Sequence, residues 1–236
     1  MAFGSSADFV ARAFGPALAA AGYRLVAPDL RGHGGSTPLA DTHAHGLEAH
    51  VDDLTTLADR VSASLVGGVS LGAHVAALVA ARRPVDGLLI TLPGWLGPAD
   101  SIAAANTTWA DELERDGVAA VLHRISREPG VPEWVAAEIA AAWAGHDPRS
   151  LAAALHAVAV SAAPSRRALA AVGAPAGIVG ATDDPAHPLP AATAYADALP
   201  RAVLRTVRLA DVGADRSILG TLALAALTTA QVSAPR

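Results

Sequence analysis

Gly68-Val69-Ser70-Leu71-Gly72 sets a serine between two glycines at a G-x-S-x-G spacing. A serine hydroxyl is a poor nucleophile unless a turn exposes it and a neighbouring base takes its proton. The flanking residues supply the turn. The apolar run Ala63 to Val69 leads into the pentapeptide, and the helical pattern Leu71 to Arg83 leads out of it. A strand that turns sharply into a helix holds such a serine at the edge of a sheet. Ser70 is therefore expected at positive φ, with Gly68, Gly72 and Ala73 leaving room for the close backbone approaches of the turn. The helix N-terminus favours negative charge developing beside it. The chemistry indicated is attack by Ser70 on a carbonyl; the bland alternative is a βα turn with a helix-capping serine.

The elements that must position Ser70 alternate along the chain. Apolar runs at Tyr23 to Leu30, Ala63 to Val69, Gly87 to Leu92, Ala176 to Ala181 and Val203 to Leu209 predict five strands. Helical patterns at Asp8 to Ala21, Glu48 to Arg60 and Leu71 to Arg83 separate them, the first with Ser5 or Ser6 as N-cap and Gly22 as its stop. Alternation of this kind predicts a predominantly parallel sheet covered on both faces. Pro93 to Pro175 breaks it with an Ala-rich helical stretch that holds all four Trp: Trp95, Trp109, Trp134 and Trp143. The expected division is a core of 1–92 and 176–236 with a helical cap at 93–175. Core packing is the first role for those Trp, and lining an apolar substrate pocket the second.

Composition narrows the classes. The 236 residues are 52% hydrophobic and 17% charged, with a net charge of -5. That suits one domain with an insertion and argues against a nucleic-acid surface. All 17 basic residues are Arg, a composition typical of a GC-rich genome. With no Cys, thiolate zinc sites, disulfides and cysteine nucleophiles are excluded. No unbroken apolar run reaches transmembrane length, and no signal-peptide pattern opens the chain, so no membrane association and a cytoplasmic location are expected.

Four segments together resemble the α/β-hydrolase superfamily, over nearly the whole chain. They are Phe3-Gly4-Ser5-Ser6 before the first helix, Ala27-Pro28-Asp29-Leu30-Arg31-Gly32-His33-Gly34, the pentapeptide at Ser70, and Gly180-Ala181-Thr182-Asp183-Asp184-Pro185-Ala186-His187-Pro188. The resemblance implies acyl transfer through a covalent intermediate on Ser70. It places the oxyanion between the backbone N–H groups of Leu71 and Phe3, and a base-orienting acid in the fourth segment. The family pattern sets Pro four residues after that acid, which favours Asp184 over Asp183. Serine at this position disfavours the dehalogenase and epoxide-hydrolase chemistries, which use Asp there.

Two departures stand out. The family histidine lies in the loop after the last strand, where this chain reads Gly213-Ala214-Asp215-Arg216-Ser217, and no His follows His187. Arg216 takes the histidine-like position and, always protonated, cannot act as a base. The chain also begins inside the family's oxyanion loop, so the strand that would separate the Leu25 and Leu65 strands is absent. Left alone, those strands would lie roughly 10 Å apart. Either they pair directly, or a second chain or residues upstream of Met1 fill the gap; self-association is one expected consequence.

The remaining histidines are assigned to structure. His43, His45 and His50 match no zinc spacing and read as a solvated loop. His33 serves its loop, His74 stacks along its helix, and His187 fixes the acid loop. His123, His146 and His156 belong to the cap. Two functional readings follow. The first is a serine-type hydrolase of a small, fairly apolar ester, lactone or similar carbonyl substrate, without a cofactor and impaired by the absent histidine. The second is a non-hydrolytic member of the fold that binds a ligand or catalyses without a triad.

Overall fold

The protein is described here by a computed structural model that covers residues 6–232, with the backbone alone at 100–102. Helix α1 (Ala7–Ala20) opens it and ends at Gly22, whose φ of 80° suits a residue without Cβ. A 3-10 turn (Thr42–His45) and α2 (Leu47–Arg60) follow. Then come β1 (Leu65–Val69), α3 (Leu71–Arg82) and β2 (Gly87–Thr91). Four helices lie between β2 and the next strand: α4 (Asp100–Ile125, kinked at Gly117), α5 (Glu133–Trp143), α6 (Pro148–Val160) and α7 (Arg166–Ala170). The chain closes with β3 (Ala176–Ala181), α8 (Leu189–Ala198), β4 (Ala202–Val207), α9 (Leu209–Ala214) and α10 (Ile218–Val232).

The four strands form one parallel sheet in the order β1-β2-β3-β4. Alternate side chains leave opposite faces. Val69, Leu89 and Val179 pack under α1 and α10 beside Phe14, Leu219 and Ala223. Leu88, Ile90 and Ile178 meet α3 and α8 through Ala73, Ala77, Ala192 and Tyr195. Both faces are thus covered, as parallel sheets require. The central contact is tight, since a Cβ on Gly177 would lie 2.0 Å from the Ala223 carbonyl oxygen. Helices α4 to α6 also share a cluster of their own around Leu113, Val121, Trp143, Leu151 and Leu155.

The strand expected at Tyr23 to Leu30 does not form: among the described residues no ladder joins it to the sheet. Nor does it pair directly with β1, which bonds only to β2. Both segments instead line one largely apolar cavity of about 370 Å³, with Leu25, Val26, Leu54, Leu65 and Val66 among its walls. The physical reason is spacing. An apolar run becomes a strand only when a neighbour lies within about 5 Å to accept its backbone hydrogen bonds, and none does here. Among the described residues, β1 has a strand partner on one edge alone. No helix among the described residues is long and apolar enough to cross a membrane.

Candidate active site

Ser70 sits where β1 ends, at the C-terminal edge of the sheet, and is the residue immediately before α3. Its φ of 54° and ψ of -118° place it in a strained region for a non-glycine residue. The turn is held because the Ser70 N–H donates to the Thr91 carbonyl at 3.0 Å, while Thr91 Oγ1 donates to the Gly68 carbonyl at 3.0 Å. Glycine is required beside it: a Cβ on Gly68 would lie 2.3 Å from the Gly72 carbonyl carbon. The Leu71 backbone opens α3 beside Ser70. Phe3, the other expected oxyanion donor, lies outside the described residues.

The loop from β3 to α8 brings two more groups. Asp184 Oδ2 and His187 Nδ1 are 2.7 Å apart, and His187 Nε2 and Ser70 Oγ are 2.9 Å apart. Asp184 can only accept, so Nδ1 carries the proton and Nε2 is left to accept from the serine hydroxyl. Asp184 Oδ1 also accepts the Ala186 N–H at 2.9 Å. Burial pushes the Asp184 carboxyl up, but the His187 hydrogen bond and charge and the Ala186 and His187 N–H groups outweigh it, so the carboxyl is held below its ordinary range. Asp183 faces elsewhere: its Oδ1 accepts the Leu209 N–H at 2.8 Å, at the start of α9.

Sequence reasoning gave His187 to the acid loop, and held it, with His74, as a first candidate should another histidine replace the absent one. The structure adds the contact to Ser70. The available signal was the three-residue spacing Asp184-Pro185-Ala186-His187, short enough for one turn to present both side chains together. Arg216 does not point at this trio. Its Nη1 donates to the Val212 and Gly213 carbonyls at 2.7 and 2.6 Å. Its guanidinium lies 4.2 Å from the centre of the Trp134 ring and pairs with Glu138 at 3.4 Å. Arg12 pairs with the same Glu138 at 2.8 Å. The residue at the histidine-like position therefore ties α5 to the body of the fold.

The other histidines divide. His43 is exposed, but His45 and His50 are buried, which corrects the expected solvated loop. They pack around His33, with ring centres 6.3 and 6.2 Å from it, and His146 completes the group at 6.1 Å. The cause is the docking of α6, where Ser150 Oγ accepts the Leu39 N–H and the Gly34 N–H donates to His146 Nε2. Among the described residues, no group of His, Asp and Glu could hold a metal ion. His156 lies 3.7 Å from Asp111, away from this trio. His74 is wholly buried, against Trp95 and Tyr195. Of the four Trp, Trp143 and Trp109 pack together, Trp95 covers His74, and Trp134 covers Arg216.

Comparison with solved structures finds the same fold. MenH from S. aureus superposes with a TM-score of 0.76 at 18% identity, over 98% of this chain and 92% of that one. The bromoperoxidase from Bacillus anthracis gives 0.76 at 18% identity, over 95% and 88%. The enol-lactonase from Burkholderia xenovorans LB400 gives 0.67 at 20% identity, over 88% and 79%. A search of curated proteins finds no match. The model of the alpha/beta hydrolase family matches residues 2–216. With that match spanning most of its length, and a parallel sheet that turns at Ser70 into α3, the chain belongs to the alpha/beta hydrolase family.

Proposed function

We propose that the protein is a serine hydrolase whose base is His187, supplied by the same loop as its acid, Asp184. The observation that carries this reading is the hydrogen-bonded line Ser70–His187–Asp184, at 2.9 and 2.7 Å. Those distances suit proton transfer from a nucleophile to a base that is itself oriented by a carboxylate.

In the reaction, Ser70 Oγ attacks the carbonyl carbon as its proton passes to His187 Nε2. Asp184 keeps the imidazole in the right tautomer and stabilises the cation that forms. The oxyanion is held at the start of α3 by the Leu71 N–H, with Phe3 as the second donor that the family resemblance implies. Collapse expels the alcohol, which takes the proton from His187. Water then attacks the acyl-serine, giving a proton to His187; the bond from the acyl carbon to Ser70 Oγ breaks, Oγ takes that proton back from His187, and the acid product leaves.

The substrate class proposed is a small, fairly apolar ester or lactone, in keeping with a solved neighbour described as an enol-lactonase. The expectation of an impaired enzyme rested on a missing base; a base within hydrogen-bonding distance of Ser70 favours hydrolysis over the non-hydrolytic reading. The four helices between β2 and β3 act in this reading as a cap, pinned through Glu138 and Trp134. The test is turnover of short-chain p-nitrophenyl esters by the wild type and by Ser70→Ala and His187→Ala. Turnover lost in both variants supports the reading, and turnover retained in His187→Ala overturns it.

A further inference from the structure

Ser70 and His187 reach each other from separate parts of the sheet. Ser70 stands at the end of β1, immediately before α3, and His187 stands in the loop after β3, two residues before α8 begins. β2 lies between those strands, so β1 and β3 are about 10 Å apart. The 2.9 Å contact of Ser70 Oγ with His187 Nε2 therefore depends on how α3 and α8 are held relative to one another. Apolar packing gives that relation little register. In the cluster that the two helices share, α3 contributes Ala73, Ala76 and Ala77, and α8 contributes Ala192. Side chains this small interlock little, and apolar burial has no preferred direction.

One polar pair joins the two helices. His74, on the first turn of α3, and Tyr195, in α8, are both fully buried, and His74 Nδ1 is 2.5 Å from the Tyr195 hydroxyl oxygen. Burial lowers the His74 pKa to about 3, with the charge of His187 adding to the shift, and burial pushes the Tyr195 phenol well above its ordinary range. Both groups are thus neutral near pH 7. The imidazole nitrogen is the stronger base of the two, so the phenol O–H donates and Nδ1 accepts. The Trp95 ring packs against the imidazole, with centres 4.1 Å apart. Unlike the alanine contacts, a hydrogen bond has a set length and direction. Buried, it resists stretching, because water is not at hand to replace either partner.

We propose that the Tyr195–His74 hydrogen bond is a strut that fixes the separation of Ser70 from His187, and that both are positioning residues of the hydrolytic site. His74 lies four residues beyond Ser70, and Tyr195 lies eight residues beyond His187 on the helix into which its loop runs. Asp184 and His187 are bonded to each other at 2.7 Å. A shift of α8 against α3 therefore moves that pair together and opens the contact with Ser70 while the contact between acid and base survives. A misplacement of about 1 Å at reacting atoms is enough to cost rate heavily. The role rests on the serine-hydrolase reading; the strut itself does not.

The experiment separates the two. Tyr195→Phe removes one oxygen and leaves the ring in place. It should lower kcat about tenfold with KM within about twofold, and slow fluorophosphonate labelling of Ser70 by a similar factor. Full kcat, or a rise in KM at unchanged kcat, overturns the positioning role. His74→Leu should match Tyr195→Phe, and the double variant should also lose only about tenfold, because each substitution removes the same bond. Losses that multiply to about a hundredfold overturn the pairing. His74→Asn keeps an acceptor where Nδ1 stands and should hold kcat within about threefold of wild type. A tenfold loss in His74→Asn overturns the role, and this variant decides alone if Tyr195→Phe or His74→Leu does not fold. Rates are taken per site able to accept one probe, counted by intact mass. A wild type that neither turns over ester nor takes the probe overturns the serine-hydrolase reading and the role built on it. The strut is then judged by urea unfolding of the same variants, where additive effects of His74→Leu and Tyr195→Phe overturn it and non-additive ones support it.

Discussion

His187 Nδ1 meets Asp184 Oδ2 at 2.7 Å, and the two residues are separated by only Pro185 and Ala186. Asp184 and His187 thus ride on one turn between β3 and α8, and the turn carries them to Ser70 as a unit. Their relative geometry is set locally, while their distance from Ser70 is set by how the turn is anchored.

Asp184→Asn should lower kcat/KM by about 10²–10⁴-fold, because the amide leaves the imidazole in the wrong tautomer and without its counter-charge. Asp183→Asn should leave kcat/KM within about threefold, since Asp183 serves the start of α9. Steady-state kinetics on one activated ester compares the two. A larger loss in Asp183→Asn than in Asp184→Asn would reverse the assignment of the acid.

Arg216→His should not raise activity, although it restores a histidine to the position where the family resemblance expects one. The side chain there faces Trp134, Glu138 and two backbone carbonyls. The variant should instead lose about 1–2 kcal/mol of stability through those contacts. Urea unfolding and ester turnover, measured together, check both halves. An increase in kcat that survives His187→Ala would show that position 216 can supply the base.

The buried histidines make stability pH-dependent. Burial, with the neighbouring His33, His45 and Arg31, lowers the His50 pKa to about 3 despite Asp53; burial likewise lowers His33 to about 4 despite its bond to the Arg31 carbonyl. In the unfolded chain each titrates near 6.5. The unfolded state therefore binds more protons once pH falls below about 6.5. Stability from these groups is full above that pH and is lost progressively as pH falls toward the folded values. The slope is about 1.4 kcal/mol per pH unit for each histidine. His50→Asn should flatten the dependence of unfolding free energy between pH 6 and 4 by about one proton. An unchanged slope would mean that His50 is not held neutral in the fold.

What could be read in advance follows from the range of each interaction. Ser70 was legible because its neighbours dictate it: Val69 ends an apolar strand, Gly68 and Gly72 are the glycines that a close turn needs, and α3 follows at once. The strands at Leu65, Gly87, Ala176 and Ala202 were legible because each finds a neighbour in the sheet. Tyr23 to Leu30 has the same apolar pattern but no partner, and pairing is not a local property. The contact of His187 with Ser70 was not assigned, because the family resemblance puts the histidine after the last strand, where Arg216 stands, and His187 entered only as a replacement candidate. That His187 reaches Ser70 depends on β3 lying two strands from β1, a distance no local pattern reveals. His45 and His50 were read as solvated because the packing of α6 over their loop is likewise a long-range event.

The most direct measurement of the central claim is the rate at which a fluorophosphonate probe labels Ser70, followed by intact mass in the wild type, Ser70→Ala and His187→Ala. The reaction requires an activated serine and does not require the natural substrate to be known. Rapid addition of one probe in the wild type, none in Ser70→Ala, and a rate lower by at least about 10²-fold in His187→Ala is the predicted result. Labelling of His187→Ala at the wild-type rate, or no labelling of the wild type, would contradict the account.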